Sequence, residues 1–466
     1  MQNSSITRQL YTKIMKLIFT ATKVTIACLI LIAAAPKANA QELITLQKAV
    51  DRALERNLTI KQSQYNEAIS AENYNQSRYN KLPAVSANPQ GGFNFGRNID
   101  PTSNQFVNQR TFTVNAGINA QITLFQGGQL RNQIIQNRIL VDVDKSNTAK
   151  VKNDLILNVV TQYLTVLTNQ DLVTASKQQI DISKIALDRA QKNFDVGNQT
   201  LADLSQAKAQ QSTAELNLTT AQNQLDLSLL VLKQYMEMNP LEEITVEKPD
   251  ISKFKDVQTD FDGASVIKTA LEINPDIKLA ETRQASAQQA IKIAQGGYYP
   301  SLVLFGSGNS RYSDAAVRFN NPSIPYRFFD QFKDNFNQSV GFSLQIPIFS
   351  QFSNRTAVRK ARLQFENAQV NTQLSKNNLS KVIIQAVFDL RAAQKKLVSN
   401  EQTYQSNKDA FNVVQQRYNV GLVNSLDYNT SLTNLNKSQF DLIQARYELV
   451  FRSKVIDYYL GNPITL

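Results

Sequence analysis

The stretch "TFTVNAGINAQITLF" at residues 111–125 decides the fold. Phe112, Val114, Ala116, Ile118, Ala120, Ile122 and Leu124 are apolar, and the residues between them are Thr, Asn, Gly and Gln. Such alternation marks a strand with one apolar and one polar face, because successive side chains point to opposite sides. The stretch is long for a strand, and most of the chain around it reads as polar, Gln/Asn-rich helix. A second strand alternates in the same phase. Val340, Phe342, Leu344, Ile346 and Ile348 are apolar there, and Ser339, Gly341, Ser343 and Gln345 are not.

The second strand belongs to a second copy of the whole unit. "ALERNLTIK" at 53–61 recurs as "ALEINPDIK" at 270–278, and the same spacing carries Pro83 onto Pro300. Seven residues are then gained between Pro300 and Gln345, and the register holds again. "QITLF" matches "QIPIF", Arg131 matches Arg355, Arg138 matches Arg362, and "FDVGNQTLAD" matches "YNVGLVNSLD". The chain is one unit made twice.

Each copy reads helix, strand, strand, helix, helix. In the first, a helix over 46–81 stops before Pro83. A rougher strand follows with Val85, Ala87, Phe93 and Phe95 on one face, then a polar loop, then the opening strand, broken by Gly127 and Gly128. A very long helix over 128–194, a turn at Gly197 and a helix over 201–236 complete the copy. Leu204, Ala207, Gln211, Ala214, Leu218, Ala221, Leu225 and Leu232 form a narrow seam on that last helix, and Leu435, Leu442, Ala445, Leu449 and Ile456 repeat it. The domain reading is a signal peptide at 1–40, a first repeat at 41–240 with its strand hairpin at 84–125, a linker at 241–262, and a second repeat at 263–466 with its hairpin at 301–349.

Composition narrows the function. The 466 residues include no His, no Trp and one Cys, Cys28. Chemistry that needs His, or a thiol in the folded part, is therefore excluded. No Gly-rich phosphate loop or nucleophile elbow is present. The expectation is a protein that is not an enzyme and has no cofactor and no metal site. Lys13, Lys16 and Lys23 precede the apolar run "VTIACLILIAAA", and "KANA" follows, which is a secretory signal cleaved after Ala40. Cys28 sits mid-run, with Thr25 where a lipidation signal wants a large aliphatic residue. Past residue 40 the chain holds 45 Lys and Arg against 38 Asp and Glu. That surplus of +7 is spread too thinly to argue for nucleic acid.

The strands find no other apolar surface in the chain to cover them. They outlast the roughly 9–11 residues a tilted membrane strand needs. In lipid every backbone group must be paired, so strands persist there only in a closed barrel. Four strands are too few to close, and the barrel must be shared with copies of the same chain. The lipid-facing residues are then Phe112, Val114, Ile118, Ile122 and Leu124, with Val340, Phe342, Leu344 and Ile346 in the second copy. A soluble periplasmic coiled-coil scaffold or adaptor is the alternative; it explains the helices but not the strands.

The duplicated order, together with "GGYYPSLVLFGSG", "LQIPIFSQFSNRTAVRKA", its partner "ITLFQGGQLRN" and two "VG" turns each followed six residues later by Asp, resembles the TolC family of outer-membrane efflux proteins. The resemblance covers essentially all of the mature chain. It implies a mixed α and β fold: an outer-membrane β-barrel shared between three protomers, four strands from each, continued by a long periplasmic α-helical barrel. It implies an outer-membrane channel that conducts passively. Its partners would be a second and third copy of itself, outer-membrane lipid, a periplasmic adaptor and an inner-membrane transporter. The family's periplasmic gate lies at the helix-hairpin tips. Carried over, it assigns Gly197 and Gly421 to the tip turns, Asp427 to a ring of carboxylates, and Asp203 to a hydrogen bond with Tyr418. The founding member's arginine and second ring aspartate are replaced here by Val423 and Thr430.

Overall fold

The protein is described by a computed structural model covering residues 42–99, 106–249, 258–318 and 324–462. The signal peptide at 1–40, Cys28 and part of the linker lie outside the described residues. The chain divides into two units. The described part of the smaller one is a two-stranded parallel sheet, β1 (Glu42–Ile44) on β7 (Ile244–Val246). Each of these strands is only three residues long, too short to stand out in the sequence.

In the larger unit the first copy runs α1 (Leu46–Arg56), α2 (Leu58–Tyr79), β2 (Ala84–Ala87), β3 (Gln90–Asn94), β4 (Arg97–Ile99), β5 (Phe106–Asn108), β6 (Thr111–Gln126), α3 (Gln129–Asp195) and α4 (Leu201–Tyr235). The second runs α5 (Gly263–Ile273), α6 (Pro275–Gly296), β8 (Ser301–Ser313), α7 (Phe328–Asp334), β9 (Asn337–Gln345), α8 (Ser353–Asn419) and α9 (Ser425–Leu460). Helices α3 and α8 are each 67 residues long, about 100 Å at 1.5 Å per residue.

The single helix expected over 46–81 is two helices. Asn57 breaks it with ψ 128°, and its side chain accepts from Thr59 N and Ile60 N. Asn274, at the matching place, caps α6 in the same way, with Pro275 as the first helical residue. Asn57 also donates to Tyr235 O at 3.3 Å, fastening the break to the end of α4.

Small and branched side chains pack the long helices. Val266, Ala270, Ile277, Ile383, Leu390 and Ile456 form one core between α5, α6, α8 and α9. On α4 the seam is buried at Leu204, Ala207, Ala214, Ala221 and Leu232, with Ser228 completing it. Larger side chains are buried between the helices as well, among them Tyr163, Phe411 and Tyr428.

The sheet of the larger unit has the order β2/β3–β6–β8–β9 and is antiparallel throughout. Strands β2 and β3 pair with β6 in one continuous register interrupted at Asn88 and Pro89, since proline cannot donate to the ladder. Val85 pairs with Ala120, Phe93 with Phe112, Ile122 with Leu304, and Leu304 with Phe342. Directly opposed residues share a face, so the apolar positions of the four strands lie on one side. Two assignments need correction. A bulge between Thr123 and Phe125 leaves Leu124 unpaired and gives Leu302 to Phe125, because the extra residue of a bulge breaks the alternation. Strand β9 ends at Gln345, so Ile346 lies just past it, where Pro347 stops the ladder. The polar loop expected between the first two strands carries the short β4–β5 hairpin.

Candidate functional site: a two-faced sheet and interlocked hairpin tips

Away from α7, nothing among the described residues covers the apolar face of the sheet. Val340 is 81%, Phe342 68% and Leu344 60% exposed. Aromatic rings cross the strands at its far end: Phe93 on Phe112 at 4.8 Å between centroids, Phe112 on Tyr312 at 6.4 Å, and Tyr312 on Phe328 at 5.0 Å. At the helix end Tyr298, Tyr299, Phe349 and Phe352 are exposed. Thirteen residues separate Phe112 from Phe125 along β6, about 43 Å of strand, or about 30 Å of height at a 45° tilt. Two aromatic belts at that separation match the two interfaces of a bilayer.

The opposite face is polar. Asn115 pairs with Arg311, Gly117 with Asn309 and Asn119 with Ser307, and Ser307 and Ser339 share a hydrogen bond at 2.9 Å. A hollow of about 540 Å³ on this side is lined by carboxamides and Arg311, among them Asn88, Gln90, Asn115 and Asn309. Helix α7 closes one end of β8 through Gln331, which is buried, accepts from Ser313 N and donates to Ser313 O.

At the other end of α3 and α8 are the two hairpin tips. Both turn through glycine in the left-handed region, Gly197 at φ 78° and Gly421 at φ 76°, a conformation that costs other L-residues about 1–2 kcal/mol. After the turns the tips differ. Thr200 caps α4 in a reciprocal box: its hydroxyl accepts from Asp203 N at 3.3 Å, and Asp203 accepts from Thr200 N at 3.1 Å. The other Asp203 oxygen accepts a short hydrogen bond from Ser425 on the second tip. These bonds, Ser425 first and Thr200 after it, hold the Asp203 carboxyl below the usual carboxylate range. At the second tip Asn424 caps α9 by accepting from Asp427 N at 2.8 Å. The Asp427 carboxylate is left exposed.

Tyr418 stacks on Tyr428 at 4.7 Å, and Tyr428 meets Phe411 at 5.5 Å. The Arg189 guanidinium, on the first hairpin, lies 5.3 Å from the Tyr418 ring centre, donates to Asn419 O at 2.9 Å and also bonds the Asn419 side chain. Gln199 donates to the Tyr418 hydroxyl at 2.9 Å. The two hairpins are therefore interlocked by Arg189–Asn419, Gln199–Tyr418 and Ser425–Asp203. The hydrogen bond expected between Asp203 and Tyr418 is not the one formed: Asp203 accepts from Ser425 and Tyr418 from Gln199.

The sequence pattern of the outer membrane efflux protein family matches residues 49–236 and 266–462. The chain belongs to that family. Outer membrane protein TolC of Escherichia coli strain K12 is 25% identical over 317 residues, which are 66% of this chain and 61% of that protein. The match thus spans about six-tenths of that relative's length. Outer membrane efflux protein BepC of Brucella suis biovar 1 is 22% identical over 88% of this chain and 83% of its own. The solved Campylobacter jejuni CmeC outer membrane channel superposes with a TM-score of 0.72 at 19% identity, covering 89% of this chain and 85% of that one. The family places this chain in the outer membrane and gives it the mixed fold of such channels; the soluble scaffold is not supported.

The interlock residues Arg189, Gln199, Asn419 and Ser425 escaped the sequence reading. Three of them stand opposite Val413, Val423 and Leu201 in the other copy, and so are not part of the repeat. The signal was in the mismatches: polar residues near a tip, opposite apolar ones.

Proposed function

We propose that the protein is a passive export channel, built as a homotrimer and gated at its hairpin tips. The observation that carries this reading is the sheet: one face apolar and uncovered, one face polar, and both edges open. Strands β2/β3 and β9 run in opposite directions, so β9 of one copy and β2/β3 of the next would join antiparallel. Three copies give twelve strands, with the apolar positions, Phe112, Val114, Ile118, Ile122, Val340, Phe342 and Leu344, facing lipid and the carboxamides facing water. Domain boundaries at residues 40, 240 and 262 fit that plan, each repeat supplying one strand hairpin and one helix hairpin.

The chain supplies no energy source in this reading. Opening requires a ligand that binds the parted tips more tightly than the joined ones. Val196, Leu201, Val420, Leu422 and Leu426 are apolar and exposed at the tips, which suits docking of a periplasmic adaptor carrying an inner-membrane transporter. The Asp427 carboxylates, three to a trimer, would favour cations at the neck.

The test is single-channel conductance of the mature protein in planar bilayers. A small conductance is expected for the wild type and a clearly larger one for Asp203→Ala combined with Tyr418→Phe. An unchanged, open channel would keep the barrel and discard the gate. A protein that stays soluble and never conducts would overturn the channel.

A further inference from the structure

The paired arginines that held the repeat in register, Arg131 with Arg355 and Arg138 with Arg362, take no part in the sheet or in the interlocked tips. All four are exposed. They stand in the first turns of α3 and α8, directly beneath the sheet. Arg359 joins them on α8. Four further exposed cations, Arg78, Lys81, Lys292 and Lys360, lie at the same level. Across residues 76–83, 126–140, 288–300 and 346–364 there are nine Lys and Arg and no Asp or Glu. Among the described residues none of the nine forms an ion pair. Arg78 and Arg355 lie only over the rings of Tyr74 and Phe352.

Hydrogen bonds fix which way the arginines face. Asn132 and Gln136 of α3 bond Gln289 and Ser286 of α6, and Asn137 bonds Asn73 of α2. At about 100° per residue α6 and α2 leave α3 about 120° apart, and Arg131 and Arg138 lie on the side away from both. On α8, Asn354 bonds Gly297, just past α6, and Thr372 bonds Ala280 within it; Arg355, Arg359 and Arg362 stand about a quarter-turn or more from that contact. A wall of helices is convex on the side its neighbours turn away from. The arginines of α3 thus lie on the convex side of that wall, which is the outer side in the closed barrel of the channel reading.

Arg131 and Arg355, each the third residue of its helix, oppose the helix dipole. Both α3 and α8 begin with no acidic residue in the first turn and no side-chain cap, whereas α2, α4, α5, α6 and α9 are all capped by a side chain. Cations at a helix N-terminus are unfavourable unless an anion joins them.

We propose that this basic collar binds the phosphate headgroups of anionic phospholipids in the bilayer leaflet facing the periplasm, and so sets how deeply the barrel sits. The proposal rests on the channel reading for the position of the bilayer. The exposed Tyr298, Tyr299, Phe349 and Phe352 mark the interface next to the collar, and juxtamembrane Lys and Arg are attracted to anionic lipid over about a Debye length.

The experiment offers the detergent-solubilised, full-length mature protein an equimolar mixture of phosphatidylglycerol and phosphatidylcholine and counts bound lipids by native mass spectrometry. Phosphatidylglycerol should be enriched about tenfold or more, an enrichment that shrinks at high salt. It should fall to near unity in the variant R131Q, R138Q, R355Q, R359Q and R362Q. No enrichment in the wild type, or the same enrichment in an assembled variant, would overturn the proposal. If the fivefold variant does not assemble, R131Q with R355Q decides, and a twofold or larger drop is expected. Loss of the preference in inorganic phosphate but not in chloride of equal ionic strength would assign the collar to free phosphate and overturn the lipid source. A protein that stays monomeric and binds neither lipid would overturn the channel reading instead.

Discussion

The two hairpin tips have the same turn, the same glycine conformation and an aspartate at the same place, yet they use the aspartate differently. At the first tip the capping residue is Thr200, whose hydroxyl both accepts from Asp203 N and donates to the Asp203 carboxylate at 2.7 Å. The carboxylate is drawn into the cap and across to Ser425. At the second tip Asn424 performs the cap alone and leaves the Asp427 carboxylate exposed. One carboxylate ties the hairpins; the other is available to the pore. Two differences separate the roles: the capping residue, and Ser425 where the first tip has Leu201.

The sharpest way to break this comparison is to cut the interlock. Arg189→Ala with Asp203→Ala removes ties from both sides of the tips, and single-channel conductance should rise well above that of the wild type. Next, Asp427→Asn in that opened background should lower the cation preference several-fold, read as a reversal potential in a salt gradient. Ser425→Ala in an otherwise wild-type channel should leave the preference unchanged. Gly197→Ala or Gly421→Ala should each destabilise the tips by about 1–2 kcal/mol, seen as a lower temperature of trimer dissociation. Equal losses at the two tips would show that the turn, not the cap, is what they share.

The smallest effect is in pH. The folded carboxyl of Asp203 titrates below its usual range because Ser425 and Thr200 donate to it. A group depressed in this way stabilises the folded tip at pH above its unfolded value and loses that contribution as pH falls through the folded value. Wild-type conductance should therefore stay low through the ordinary carboxylate range near pH 4 and rise only below it. Ser425→Ala should move that rise upward. A rise at the same pH in both proteins would remove Asp203 from the interlock.

The fold was legible where periodicity speaks. Alternation from Phe112 to Ile122 and the helical seam from Leu204 to Leu232 each depend on one repeating geometry, and residues far apart agree on it. Local exceptions were not legible. Asn57 looks like any polar residue of a helix surface; only its matching residue, Asn274 before Pro275, announces a break. The bulge at Leu124 leaves no mark on the apolar pattern, because Leu124 and Phe125 are both apolar. At the tips Gly197 and Gly421 were readable because a left-handed turn demands glycine. Partners were not, since Asp203 had two donors within reach and spacing does not choose between Ser425 and Tyr418.

The open edges of the sheet have a kinetic consequence. A four-stranded strip with unpaired backbone on both sides has no stable place in lipid, so a lone subunit must wait outside the bilayer until its neighbours arrive. Insertion then depends on subunit concentration more steeply than in direct proportion. A subunit with one edge blocked, for instance by a proline within β9, would also withdraw healthy subunits from use. Mixed with wild type, such a chain should depress channel number by more than its own share.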